Sequence, residues 1–151
     1  RIFQRFDFEI RNSRGLKLQC SHWEPIEKQR PVPKLPCLIY LHGNCGCRAD
    51  AVECLEEALT HGFTLLTCDL SGSGKSEGEY ISLGWHEKDD VHSLIRHARE
   101  KRRVSDVFLW GRSMGAVSEC VLLCHPEPSL VRFFFSCLPW HYLFFVFCDD
   151  R

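Results

Sequence analysis

The segment VFLWGRSMGAVSECVLLC, residues 107–124, carries the pattern G-x-S-x-G at Gly111, Ser113 and Gly115. A short apolar run enters the pattern and an apolar run of helical length leaves it. A serine at a sharp turn between a buried strand and a helix has a strained backbone, and the two glycines let the strand and the helix approach closely. Such a turn lifts the hydroxyl above the sheet, at a helix N-terminus that favours a developing oxyanion. The segment predicts a strand, a turn with the nucleophile Ser113, and a helix.

Alternating strands and helices surround this segment. Apolar runs typical of strands buried on both faces occupy residues 37–41, 63–68 and 104–110. Segments with helical periodicity alternate with them, at residues 49–61, 87–103 and 116–124. Alternation of this kind predicts a mostly parallel sheet with helices on both faces, because the crossovers are right-handed. Before it, apolar and polar residues alternate over residues 6–20, which predicts an antiparallel hairpin. The expected fold class is α/β.

Two of the helices have a predicted buried face. In the first, Val52, Leu55 and Leu59 fall on one stripe, and Gly62 is placed to end the helix. In the second, the stripe is formed by Val91, Leu94, Ile95 and Ala98. The acidic residues of its first turn and the basic residues of its last turn suit the helix dipole.

Composition narrows the possible functions. The 151 residues suit one domain, and a net charge of −1 gives no electrostatic case for nucleic acid. The chain opens on Arg1, so we expect a cut or processed N-terminus. Six of the ten cysteines lie in apolar periodic segments, which favours buried thiols and a reducing, cytoplasmic location. Cys45 and Cys47, near His42, could form half of a metal site. The sequence offers no second pair of cysteines or histidines with the spacing of zinc ligands, so we expect these two cysteines to be ordinary loop residues and no metal to be bound.

The loop after the first parallel strand reads His42-Gly43-Asn44. In enzymes with a nucleophile turn, one oxyanion donor is the N–H after the serine, here Met114, and the other comes from this earlier loop. Asn44 is the natural donor there. We interpret His42 as a hydrogen-bonded structural histidine, because a base would follow the serine along the chain.

The loop at residues 69–76 reads DLSGSGKS and ends like a phosphate-binding loop. The full pattern needs a glycine five residues before Gly74, and that position is Asp69. Phosphate binding is therefore not expected. We expect the Asp69 side chain to hold the loop by accepting hydrogen bonds from backbone N–H groups of the loop. We also expect the loop to shape the rim of a pocket.

Three motifs in this order carry a family resemblance: YLHGN at residues 40–44, DLSGSGKSEG at 69–78 and GRSMGA at 111–116. Together they resemble the N-terminal half of an α/β-hydrolase, in its serine-aminopeptidase-like and acylglycerol-lipase-like branch. The resemblance implies a serine nucleophile, an acyl-enzyme, small-molecule ester, thioester or amide substrates, and neither metal nor cofactor.

The family places an acid and then a histidine after the serine, and this chain does not. The candidates after Ser113 are His125, His141, Asp149 and Asp150, in the reverse order, so neither acid nor base is assigned. We expect residues 1–130 to be the N-terminal half of a hydrolase domain, and the chain alone to be inactive. Residues 131–151 form an aromatic-rich tail with a buried strand near residues 131–137.

Two other functions stay open. The chain could be a non-catalytic binding domain, or pseudoenzyme, that keeps the hydrolase scaffold. It could also be tethered to a membrane by the aromatic tail, although the uncharged run of residues 133–148 is interrupted by Pro139 and is shorter than the roughly 20 residues of a transmembrane helix.

Overall fold

A computed structural model of the chain describes residues 2–124, 132–135 and 144–148. Seven strands are formed: β1 Phe3–Arg11, β2 Lys17–Pro25, β3 Leu35–Leu41, β4 Thr64–Cys68, β5 Val104–Gly111, β6 Arg132–Phe135 and β7 Phe144–Cys148. Three helices accompany them: α1 Val52–Thr60, α2 Glu87–Lys101 and α3 Met114–Cys124. Short 3-10 turns cover Glu27–Gln29 and Arg48–Ala51. Each predicted strand and helix up to residue 124 is present, with ends shifted by a few residues.

The strands form one sheet in the order β1-β2-β4-β3-β5-β7-β6. β3 lies between β4 and β5 and is parallel to both. From β3 the chain moves to one side through α1 and then returns across β3 through α2, so right-handed crossovers place these two helices on opposite faces. The core accordingly has two parts, one beneath α2 and α3 and the other beneath α1. The prediction of an α/β fold with helices on both faces is confirmed.

The sheet is mixed rather than mostly parallel, which corrects the predicted proportion. β1 pairs antiparallel with β2, and β2 pairs antiparallel with β4. At the other side, β7 pairs antiparallel with both β5 and β6. Of the six strand pairings in the described sheet, the two made by β3 are parallel and the other four are antiparallel. The predicted strand near residues 131–137 is present as β6.

The predicted apolar stripe of α1 is wrong for Val52, whereas Leu55 and Leu59 pack against the core. Val52 is 61% exposed, whereas the small residues Ala51, Cys54 and Ala58 are buried against the sheet. Leu55 and Leu59 are only partly buried at the margin of this core. Small side chains let the axis of α1 approach the strands closely. The face with the small residues is therefore the one buried against the sheet, and the larger residues of the neighbouring face lie at its margin. By contrast, the predicted stripe of α2, from Val91 to Ala98, is fully buried.

Four cysteines, Cys20, Cys37, Cys54 and Cys68, are buried free thiols, as expected. Burial raises the pKa of Cys37 to about 12, so this thiol stays protonated and packs as a small apolar group. The expectation is wrong for Cys124, which is exposed at the end of α3. Among the residues that the structure describes, no helix has the length and hydropathy needed to cross a membrane.

Candidate active site

Ser113 lies in the predicted turn between β5 and α3. Its φ is 50°, in the left-handed region that non-glycine residues rarely adopt, and its side chain is exposed. Strain of this kind concentrates at functional sites. The serine directly precedes Met114, the first residue of α3, so its hydroxyl is presented at a helix N-terminus.

The two glycines of the turn are required by space. A Cβ on Gly111 would lie 2.6 Å from the Cα of Ala116, and a Cβ on Gly115 would lie 2.8 Å from the carbonyl carbon of Leu41. Real Cβ atoms do not approach backbone this closely. The spacing of the motif thus lets α3 start directly against the ends of β5 and β3.

The loop after β3 lies beside the serine. A Cβ built on Gly43 would lie 3.6 Å from the Cβ of Ser113, and the Arg112 N–H donates to the Leu41 carbonyl at 2.9 Å. Asn44 is exposed, and its side-chain oxygen accepts the N–H of Cys45 at 3.0 Å, so that side chain shapes its own turn. The loop containing Asn44 and the N-terminus of α3 therefore border the same space around Ser113.

His42 is fully buried and connects two loops. Its Nε2 accepts the N–H of Leu70 at 3.0 Å. Because Nε2 must be unprotonated to accept, Nδ1 carries the proton and donates to the Gly43 carbonyl at 2.8 Å. Both ring nitrogens are used by backbone, which confirms the interpretation of His42 as structural.

Asp69 organises the loop after β4 as predicted. Its carboxylate accepts the N–H of Lys75 at 2.9 Å and both the N–H and the guanidinium of Arg48, at 2.7 and 2.6 Å. A Cβ on Gly74 would collide with this carboxylate. An acidic group therefore fills the space that a phosphate would need, and the loop binds its own aspartate.

Two further carboxylates of this region are buried, and the sequence interpretation missed them. Asp90 accepts from the side chains of Asn12 and Arg14 and from the N–H of Ser71. Glu87 is likewise fully buried in the first turn of α2. The sequence predicts both residues only as first-turn acids that suit the helix dipole. Each lies four residues before an apolar residue of the buried stripe, Val91 for Glu87 and Leu94 for Asp90. This helical spacing is the signal in the sequence that places both carboxylates on the buried face.

Hydrogen bonds set the ionisation of Glu87. Burial alone raises its pKa, but the side-chain and backbone donors of Ser82 and the N–H of Gly84 outweigh burial, and the pKa lies below its ordinary value. Glu119 is the opposite case. It is buried in α3, no described residue hydrogen-bonds to it, and burial raises its pKa well above the ordinary range.

No described histidine or carboxylate hydrogen-bonds to the Ser113 hydroxyl. His125, His141, Asp149 and Asp150, the candidates left without a role, lie outside the described residues. Within the described ranges there is also no cluster of three or more histidine, cysteine or acidic side chains suited to a metal ion. Among the described residues, the site consists of the serine turn and the loop after β3 that borders it, and His42 connects that loop to Leu70 in the loop after β4.

A serine turn between a strand and a helix, at the carboxyl edge of this sheet, defines an α/β-hydrolase. The family described as Serine aminopeptidase, S33, matches residues 34–138, and the chain belongs to this family.

Solved structures agree with this assignment. The esterase Pf2001 of Pyrococcus furiosus is 25% identical and superposes with a TM-score of 0.65, covering 77% of this chain and 44% of that one. The α/β-hydrolase GrgF from a Penicillium species is also 25% identical, with a TM-score of 0.64 over 78% of this chain and 41% of its own.

A curated relative, described as an uncharacterized 31.7 kDa protein in the traX-finO intergenic region of Escherichia coli, is 35% identical over 86 residues. The match covers 54% of this chain and 30% of the relative. The chain thus spans less than half the length of these relatives.

Proposed function

We propose that this chain is the nucleophile-bearing half of a serine hydrolase that cleaves small-molecule ester, thioester or amide bonds through an acyl-enzyme on Ser113. The observation that carries the proposal is the conformation of Ser113. A left-handed serine with an exposed side chain, held between two glycines that have no room for a Cβ, has a backbone cost that a purely structural turn does not need.

The proposed reaction begins when the Ser113 hydroxyl attacks the acyl carbon and its proton passes to a histidine. The carbonyl oxygen becomes an oxyanion, which the N–H groups of Asn44 and Met114 stabilise. Loss of one such donor costs about 3 kcal/mol of transition-state stabilisation. The leaving group takes the proton, and water then releases the acyl group from the serine. The chain's contributions are the nucleophile and the oxyanion donors.

The base and the acid must come from residues other than those described. His42 is excluded as a base, because both of its nitrogens are hydrogen-bonded to backbone. The proposal requires that the transcript past residue 151, in one of its three frames, encodes two more buried strands, an acid and then a histidine. Unrelated sequence in all three frames would contradict it.

The direct test is labelling with a fluorophosphonate, which reacts with activated serines. We expect labelling of the longest product that contains this chain, loss of labelling in the Ser113→Ala variant, and no labelling of residues 1–151 alone. The alternative is a non-catalytic binding domain that keeps the hydrolase scaffold. It predicts that neither product is labelled, so the same experiment decides between the two.

The proposal includes a location and a partner class. The described cysteines are free thiols, four of them buried, which supports a reducing, cytoplasmic compartment. A balanced net charge supports a small acyl substrate rather than nucleic acid. Tethering through the aromatic tail is the weaker alternative, and it predicts membrane release after deletion of residues 133–151.

A further inference from the structure

Four buried nitrogen atoms near the C-terminal end of α2 have no hydrogen-bond partner among the described residues. They are both ring nitrogens of His22 on β2, Nε2 of His97 on α2, and Nε of Arg102, which directly follows this helix. We name His22, His97 and Arg102 the nitrogen cluster. Buried polar atoms in folded proteins are hydrogen-bonded in the great majority of cases, so an unpartnered group points to a bound water or ion.

The nitrogen cluster lies on the face of the sheet that α2 covers. Cys20 of β2 packs in the core beneath α2, so His22, two residues further along the strand, points to the same face. Phe8 of β1 pairs with Cys20 and packs against the same core. Its ring stacks on His97 with the ring centroids 4.9 Å apart, and the guanidinium carbon of Arg102 lies 3.9 Å from the ring centre. The three side chains therefore converge around Phe8.

The charge of Arg102 reaches His22. Burial, and after it the positive charge of Arg102, lowers the pKa of His22 from 6.5 to about 3. Burial also lowers the pKa of His97. Both rings are therefore neutral at pH 7.5, and Arg102 supplies the one positive charge of the nitrogen cluster.

This positive charge has no counter-ion among the described residues. Two acids of β2 and of the segment after it are paired with other arginines: Glu24 with Arg30 at 2.5 Å, and Glu27 with Arg103 at 2.6 Å. No described acid forms an ion pair with Arg102. The negative end of the α2 dipole offsets only about half a charge. An uncompensated charge beside buried polar groups is costly, so the nitrogen cluster favours a negatively charged ligand.

The chemistry of the nitrogen cluster selects a small monovalent anion. The guanidinium and each neutral imidazole can donate an N–H, so the cluster offers three donors. A water molecule would accept these bonds but would leave the charge of Arg102 uncompensated. One positive charge is balanced by one negative charge, which favours chloride over phosphate, and chloride accepts hydrogen bonds from any direction.

We propose that the nitrogen cluster is an anion-binding site that takes one chloride ion, held by N–H groups of His22, His97 and Arg102. The site is separate from the serine turn, because β4 and β3 lie between β2 and β5. It goes beyond the proposed function and does not depend on it. A chloride ion bound there connects the end of α2 to the sheet, and it stabilises the folded chain by mass action.

The test is urea unfolding of the full chain at pH 7.5 in sodium chloride and in sodium gluconate of equal ionic strength. Gluconate is too large for the site. With a dissociation constant of about 20 mM, chloride at about 0.2 M raises the folding equilibrium constant about tenfold. We also expect the folded chain to broaden the chlorine-35 NMR line, and the broadening to disappear when urea unfolds the chain. Equal stability in the two salts, or equal broadening by folded and unfolded chain, would overturn the proposal.

Two variants and a matched control make the test specific. Arg102→Gln removes the charge and His22→Leu removes a donor, so both should reduce the chloride effect from about tenfold to less than about twofold. Arg96→Gln removes an equal charge from an exposed position of α2 and should keep the effect of the parent chain.

Each variant is compared with itself in the two salts, so a general loss of stability does not imitate a loss of chloride binding. If one cluster variant does not fold, the other still decides. A chloride effect that persists at full size in the folded cluster variants, or that is lost equally in Arg96→Gln, would assign it to general salt screening and overturn the proposal.

Discussion

His22 makes the stability of this chain depend on pH. The side chain is 1% exposed on β2, and neither ring nitrogen has a hydrogen-bond partner among the described residues. Burial, followed by the positive charges of Arg102 and Arg30 and by His97, lowers the pKa of His22 from 6.5 to about 3. The folded protein therefore keeps this imidazole neutral under conditions in which the unfolded chain protonates it.

The sign and the size of the effect follow from the two pKa values. Because the folded pKa is lowered, His22 costs no stability above pH 6.5, and the cost grows as the pH falls towards 3. Each pH unit between the two values corresponds to about 1.4 kcal/mol, so the cost reaches about 2 kcal/mol at pH 5 and about 4 kcal/mol near pH 3.

The assay is urea unfolding at pH 7.5 and pH 5.0 for the parent chain and for His22→Leu, which fills the site without titrating. The parent should lose about 2 kcal/mol more than the variant between the two pH values. His61→Gln, at a histidine that is 62% exposed, is the matched control and should lose as much as the parent. Equal losses in the parent and in His22→Leu would refute the reasoning.

Three further predictions concern single positions. Gly115→Ala places a Cβ against the Leu41 carbonyl and should lower the free energy of unfolding by about 1–3 kcal/mol; a neutral result in urea unfolding would contradict the packing argument. Burial raises the pKa of Glu119, so folding is not penalised by this carboxyl group below pH 4.5 and is penalised increasingly as the pH rises. Glu119→Gln should therefore stabilise the protein at pH 8 and change its stability little at pH 4. An unchanged pH dependence of the unfolding free energy would contradict this. Asp69→Asn weakens the carboxylate's hold on its loop and should speed hydrogen exchange at the Lys75 amide, and unchanged exchange would show that the bond is dispensable.

The sequence predicted those parts of the fold that follow from local pattern. The helical stripe from Val91 to Ala98 is buried as expected, because four apolar residues at helical spacing leave one possible face for the core. The serine turn was predictable for a similar reason. Glycines two residues before and after Ser113 leave the space that a strand and a helix need to meet at a sharp turn.

Other features depend on packing distance and on partners that are remote in sequence. The buried face of α1 is set by Cys54 and Ala58, because small residues bring the helix close to the sheet. The burial of the Glu87 carboxylate depends on hydrogen bonds from the N–H groups of Ser82 and Gly84. These donors reach the carboxylate only when the loop before α2 is folded. The antiparallel direction of β7 results from its pairing with β5 and β6, which local pattern does not specify.

The central claim is that Ser113 becomes acylated, and mass spectrometry of the intact protein and of its peptic digest tests it most directly. The longest product that contains this chain is mixed with a p-nitrophenyl ester and quenched in acid within the first turnovers. The account predicts an acyl adduct on the peptide that contains Ser113, and none in Ser113→Ala. Release of p-nitrophenol with the adduct on another residue, or at an equal rate in Ser113→Ala, would contradict it.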